Sequence, residues 1–265
     1  MTSLNSCEDE NGELMQGSLE SPRMNHTETI HLRPTAELAE RALLPGDPGR
    51  ALALAQLLLE EPLMFNHHRG LWGYTGKAAD GELLTVQSTG MGGPSAAIVL
   101  HELIELGMTR AIRVGTCGAL DPTLGLGDLV VACEAIAADG TTAALTGHAA
   151  LTRTRAGGPL TNRIHRALAG YERAVHADAT IVSTDLFYEP TQRRNGKWRA
   201  DGAIAVEMEA SALFAVGDRA GIEVGCLLAV SDTFDASGNR TRIDDHALLE
   251  AAEAMGRAAA AALSA

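Results

Sequence analysis

From Glu28 onward the chain alternates short apolar runs with longer segments whose apolar residues recur every three or four positions. RALLPGD predicts a short strand and a tight turn, and GRALALAQLL the helix after it. A β-rich stretch, MFNHHRGLWGYTG, leads to a strand at GELLTVQST that runs into GMGG. PSAAIVLHELIELG predicts a helix, with Pro94 in its first turn and Gly107 just past its end. Its apolar set, Ala96, Val99, Leu100, Leu103 and Ile104, keeps helical spacing. Further strands are predicted at TRAIRVGT, GDLVVACEAI, ATIVST and EVGCLLAVSD, and helices at PLTNRIHRALAG, SALFAVGDRAG and HALLEAAEAMGRAAAAAL.

The strands lack clean period-2 alternation and lie between helices. That pattern indicates strands buried on both faces. The expected fold is therefore α/β: a single domain over residues 28–265, with a mixed, mainly parallel central sheet flanked by helices on both faces. In such sheets ligands gather beyond the carboxyl ends of the strands.

Residues 1–27 are polar and acidic with no apolar period, which predicts a disordered leader, and Met24 is an alternative translation start. The formal net charge of −13 argues against nucleic-acid and anionic-membrane partners. An anionic substrate must then be met by a few arginines gathered locally. Cys7, Cys117, Cys133 and Cys226 show no paired spacing and no C-x-x-C. This predicts a reduced chain without structural disulfides or a cysteine-based metal site. With no apolar run of spanning length and no signal-peptide core, a cytoplasmic protein is expected.

The chemistry concentrates in a few segments. AVEMEAS places Glu207 and Glu209 two apart in an apolar stretch, where buried carboxylates need partners. On an extended segment both would face one pocket; an internal ion pair with an arginine is the alternative reading. AIRVGTCGAL carries Arg113 inside an apolar strand, where a guanidinium needs an anionic partner from the protein or a ligand, and Thr116 follows in a glycine-flanked loop. PGDPGR puts Gly46 and Arg50 at a helix start, suited to a small oxyanion or to a plain turn with a solvated arginine. STGMGGPSA misses the third glycine of a dinucleotide fingerprint and reads as a loop near the site.

Taken in order, PGDPGR, STGMGGPSAA, IRVGTCGAL, DLFY, AVEMEAS and the SD of AVSDTF resemble the serial motifs of the nucleoside phosphorylases. The branch is that of the hexameric purine nucleoside, uridine and methylthioadenosine phosphorylases. The resemblance runs from about His31 to the C-terminal helix. It implies a nucleoside phosphorylase-like fold and phosphorolysis of the N-glycosidic bond to free base and pentose 1-phosphate. Phosphate would be a co-substrate, with no metal or other cofactor.

The same resemblance implies roles. Gly46, Arg50, Arg113 and Thr116 would hold phosphate, together with Arg69 lent by a neighbouring subunit. His31, lent likewise, would touch the ribose 5′-hydroxyl. Glu209 would accept hydrogen bonds from the ribose 2′ and 3′ hydroxyls, with Met208 against the sugar and Glu207 assisting or bracing. Phe187 and Tyr188 suit stacking on the base. Ser231 and Asp232 would lie beside purine N7, with Asp232 as general acid supported by Arg240 or Arg242.

A competing signal is Gln192 and Arg194 in LFYEPTQRRNG, one residue farther along than the uracil-reading Gln-x-Arg of uridine phosphorylases. Asp232 is weighed above it, so the expected activity is that of a purine nucleoside phosphorylase, a homohexamer built from dimers with shared sites. Uridine phosphorylase, methylthioadenosine phosphorylase, a nucleosidase and a non-catalytic nucleoside sensor are the alternatives.

Overall fold

The computed structural model describes residues 29–148, 151–188, 192–235 and 237–264, without the side chains of residues 192 and 193. The predicted leader over 1–27 lies outside the described residues. The first half of the chain gives β1 (Arg41–Leu44), α1 (Pro48–Leu58), β2 (Glu60–Asn66), β3 (Gly73–Lys77), β4 (Leu83–Gln87), α2 (Gly93–Glu105) and β5 (Arg110–Ala119). The second half gives β6 (Leu129–Ala138), α3 (Gly140–Thr146), β7 (Arg153–Arg155), α4 (Gly158–Ala167), β8 (Val175–Thr184), α5 (Gln192–Ala200), β9 (Ala205–Glu207), α6 (Ala210–Ala220), β10 (Glu223–Phe234), β11 (Arg240–Arg242) and α7 (Asp245–Ser264). Each predicted strand and helix has its counterpart. α3, β7, α5 and β11 were not anticipated.

All strands join one sheet. Its centre is parallel: β1 runs between β4 and β5, β5 pairs with β10, and β8 lies between β6 and β9. Its margins are antiparallel, through β2, β3, β7 and β11. Two internal pairings, β5 with β9 and β6 with β10, are antiparallel too, so the sheet is mixed and parallel only in its central run. Because β10 bonds both β5 and β6, the strands β5, β10, β6, β8 and β9 form a closed ring. β1 to β4 extend from it as an open wing.

Two apolar layers sandwich this sheet. Leu100, Leu103, Leu213 and Phe214 of α2 and α6 cover one face, with Cys226, Leu228 and Val230 of β10 beneath them. Leu54, Leu160, Ile164 and Met255 of α1, α4 and α7 cover the other, over Leu227 and Ala229. Alternate β10 residues thus feed opposite cores, the two-sided burial that its unbroken apolar run required. Arg113 shares its β5 face with Ala111 and Cys117, so it emerges on the α6 side.

Candidate active site

A cavity of about 750 Å³ opens at the ends of the ring strands. Gly46, Arg50, Arg113, Thr116, Glu209 and Asp232 are among the residues lining it. Glu207, Met208, Phe187, Tyr188, Ser231 and Arg194 line it as well. Segments far apart in sequence therefore converge on one chamber.

Glu207 and Glu209 reach it by a different route from the one expected. β9 ends at Glu207, and Glu209 is the N-cap residue of α6, with φ −135° and ψ −28°. The two are not consecutive same-face positions of a strand. They converge because Arg113 stands between them: its Nε donates to Glu207 Oε2 at 2.9 Å, and its Nη2 lies 2.5 Å from Glu209 Oε2. The internal ion pair is thus the arrangement observed, for both glutamates.

Glu207 has no capacity left for a ligand. Its carboxylate also accepts the backbone N–H groups of Glu209 and Ala210 and the hydroxyl of Ser183. Those backbone donors belong to the start of α6, so Glu207, together with Ser183 Oγ on the Ser211 N–H, supplies the cap that the Glu209 side chain does not. Burial pushes the Glu207 carboxyl up, against the pull of Arg113. Burial works against the Arg113 charge, yet Glu209 and Glu207 hold its guanidinium above the usual arginine value.

Glu209 is less fully used. Besides Arg113 it accepts the N–H of Gly92 at 2.6 Å. Gly92 has φ +86°, a backbone conformation that favours glycine, and this aims its N–H across the cavity wall. The GMGG loop thus borders the site, as expected of a loop rather than a nucleotide site of its own. Glycine is needed at 115 for another reason: a Cβ there would stand 2.7 Å from Arg113 Nη2, so the guanidinium lies across that backbone.

Arg50 is half-buried in the same cavity, and no carboxylate is in ion-pair reach of its guanidinium among the described residues. Asp47 is used instead as the N-cap of α1, accepting the Arg50 backbone N–H at 2.7 Å. Burial, then the like charges of Arg113 and Arg242, draw Arg50 below its ordinary value, with Asp47 acting in the opposite sense. Nη1 of Arg113 and the hydroxyl of Thr116 also make no hydrogen bond to protein among the described residues. These groups form a cationic, donor-rich corner suited to a small oxyanion.

The other end is built on β10 and β11. A register shift between Val230 and Asp232 interrupts β10, and Asp232 lies opposite Arg242 on β11. Arg242 Nη1 is 3.2 Å from both carboxylate oxygens of Asp232, whereas Arg240 Nε is 3.8 Å from one. The Ser231 hydroxyl donates to Asp232 Oδ2 at 2.6 Å. Arg240 turns its guanidinium over the rings of Phe187, at 4.6 Å, and Phe234, at 5.7 Å. Of the two candidate supports, Arg242 holds Asp232 and Arg240 braces the aromatic wall.

Arg194 lies on α5, one turn before Trp198, with its guanidinium 5.5 Å from the indole centroid. The polar segment QRRNGKWRA is a helix that walls the cavity, with Asn195 and Trp198 lining it as well. Neither residue stood out in the sequence, although an indole in so polar a segment was an available signal. The side chain of Gln192 lies outside the described residues. Arg69 and His31 do not line the cavity. Arg69 is exposed in a three-residue turn at φ +59°, and His31 Nδ1 lies 2.6 Å from Glu102 Oε1.

Comparison with known proteins places the chain in a family. A family described as the phosphorylase superfamily matches residues 40–265. The chain is 34% identical over 227 residues to a DeoD-type purine nucleoside phosphorylase of Caldanaerobacter subterraneus subsp. tengcongensis, covering 82% of this chain and 93% of that protein. It is 38% identical over 213 residues to the DeoD-type purine nucleoside phosphorylase of Geobacillus kaustophilus, covering 77% and 86%. The homologue of the same type from Clostridium beijerinckii is 34% identical over 235 residues, covering 83% and 92%. The matched span includes every cavity-lining residue named above, and on this ground the chain belongs to the phosphorylase superfamily.

Proposed function

We propose that this protein is a purine nucleoside phosphorylase, cleaving (deoxy)ribonucleosides with inorganic phosphate to free base and pentose 1-phosphate. The observation that carries the reading is Arg50, a half-buried guanidinium in the cavity with no carboxylate partner among the described residues. A cation so placed calls for an anion from outside the protein. The similarity to DeoD-type purine nucleoside phosphorylases supports purines as the substrates.

In this reading phosphate occupies the corner of Arg50, Arg113 Nη1 and Thr116. A phosphate oxygen attacks the anomeric carbon while the bond to the base breaks, and the electron pair leaves with the purine. Glu209 holds the ribose diol, and its negative charge favours the cationic sugar of the transition state. For this, Glu209 must give up its contact with Arg113, so phosphate and ribose replace one internal ion pair. Asp232, placed by Arg242 and Ser231, serves the departing base. Inorganic phosphate is a co-substrate in this scheme, and no metal or other cofactor takes part.

A second copy of the chain completes the site by supplying Arg69 and His31, in a homohexamer built from dimers. Exposed Leu63, Met64 and Trp72 beside Arg69 support an interface there. No helix among the described residues is long and apolar enough to cross a membrane, which fits a cytoplasmic enzyme.

The deciding experiment is turnover of inosine, adenosine, methylthioadenosine and uridine with and without phosphate. Phosphate-dependent release of hypoxanthine or adenine is expected. Uracil release alone would favour a uridine phosphorylase, in line with Arg194 lining the cavity. Turnover without phosphate would indicate a nucleosidase, and tight binding without turnover a sensor.

A further inference from the structure

Behind the cavity runs a buried polar chain. Asp139, the N-cap of α3, accepts the Thr142 N–H at 2.7 Å and the Ser211 hydroxyl at 2.7 Å. The Ser211 N–H donates to Ser183 Oγ at 2.9 Å, and Ser183 donates in turn to Glu207 Oε1. Glu207 then receives Arg113 Nε on its other oxygen. Ser183 and Ser211 are wholly buried, and Asp139, Glu207 and Arg113 nearly so. Ser183 faces Glu207 directly in the register of β8 with β9.

We propose that Ser183 is a positioning residue for phosphate binding: its hydroxyl locks the Glu207 carboxylate, and the locked carboxylate aims the Arg113 guanidinium at the anion corner. The proposal rests on the phosphorylase reading above. A carboxylate anchored through one oxygen alone can rotate about its last bond. Glu207 is anchored at both, by Arg113 and the N–H groups of Glu209 and Ala210 on Oε2, and on Oε1 by Ser183 and, at a longer 3.1 Å, by the same Ala210 N–H. Without Ser183, Oε1 keeps only that shared donor. Rotation would swing the Arg113 Nε contact and, with it, the direction of Nη1. Small displacements of a positioned cation cost a reacting anion heavily, because its donors must meet it at hydrogen-bonding distance. Ser183 touches neither substrate in this scheme and acts entirely through Glu207.

The test uses the full-length protein, with S183A, E207Q and S183T assayed for phosphate-dependent cleavage of a purine nucleoside. In S183A the KM for phosphate is expected to rise about tenfold while the nucleoside KM stays within about threefold. S183T, which keeps the hydroxyl, is expected to return the phosphate KM toward wild type. A folded S183A with both KM values unchanged, even at a lowered Tm, would make Ser183 merely structural and overturn the proposal. Should S183A fail to fold, E207Q is judged by the same split between the two KM values. If wild type shows no phosphate-dependent turnover, the functional reading fails instead. Calorimetric binding of inorganic phosphate to wild type and S183A then tests the positioning by itself: weaker binding to S183A supports it, and equal binding overturns it.

Discussion

Nη2 of Arg113 and Oε2 of Glu209 stand 2.5 Å apart, nearly buried, at the junction between the anion corner and the α6 N-terminus. The contact joins the two groups on which the proposed reaction depends. Phosphate needs the guanidinium and the ribose diol needs the carboxylate, so each substrate competes with the same bond. Binding of one releases the partner that the other requires, a reciprocal coupling between sites.

Glu209→Ala separates these roles. Loss of the diol acceptor is expected to lower kcat/KM for nucleosides by about a hundredfold, equivalent to about 2.7 kcal/mol. Phosphate alone should bind the variant more tightly than wild type, by about three- to tenfold, because Arg113 has lost a competing anion. Calorimetry with phosphate in the absence of nucleoside reads this directly. Weaker phosphate binding by the variant would show that the contact orders Arg113 rather than occupying it.

Arg50→Ala should raise the phosphate KM by about ten- to a hundredfold, as expected for removing a charged hydrogen-bond donor worth about 1.5–3 kcal/mol. Its stability should stay close to wild type or rise slightly, since the lost side chain is a partly desolvated cation repelled by Arg113 and Arg242. Thermal melting beside steady-state kinetics checks both halves. A sharp fall in Tm would mean that Arg50 is structural.

Asp232→Asn is expected to cripple purine cleavage, most of all where the leaving base needs a proton. Arg242→Ala should cost more than Arg240→Ala on the same substrates, because only Arg242 is within 3.2 Å of both carboxylate oxygens. Arg240→Ala should act through the wall of Phe187 and Phe234, raising the nucleoside KM with a smaller effect on kcat. Equal kcat losses in the two arginine variants would contradict this division.

If a second chain completes the site, mixing should reveal it. Arg69→Ala and Arg113→Ala chains are each expected to be nearly inactive. Combined under conditions that exchange subunits, they should regain activity, since a mixed dimer contains one site with both arginines. No recovery would place Arg69 outside the mechanism.

Far from the cavity, Asp80 ties the wing to the C-terminal helix. It receives Arg41 Nη1 and Nη2 at 2.6 Å each, and Arg41 also reaches Leu83 O and Ser264 Oγ. These hydrogen bonds from Arg41 hold the Asp80 carboxyl well below the usual carboxylate range. A depressed folded value means stabilisation that is full above the unfolded value near 4 and is lost as pH falls through the folded value. Asp80→Asn should therefore lower stability at pH 7 by about 1–3 kcal/mol. The gap to wild type should narrow as the pH drops below about 4. Denaturant titrations at several pH values measure it; a constant gap would exclude the pair as the source.

What the sequence determined by itself is local. β1, α1, α2, β5, α6, β10 and α7 are legible from apolar period, capping residues and punctuating glycines, because those signals act within a few positions along the chain. The resemblance also marked Arg50, Arg113, Thr116, Glu209 and Asp232, and tertiary folding brings all of them into one cavity. Only the tertiary structure decided how they meet. Glu207 and Glu209 straddle a strand-to-helix break that no alternation rule anticipates, and a cation from another strand draws them together. α5 lacks an apolar stripe and is held through Trp198, while β11 is an exposed edge paired by its backbone, so neither leaves a periodic trace. The choice of Arg242 over Arg240 for Asp232 is a matter of cross-strand register, a distance between residues ten apart that exists only once the hairpin has formed.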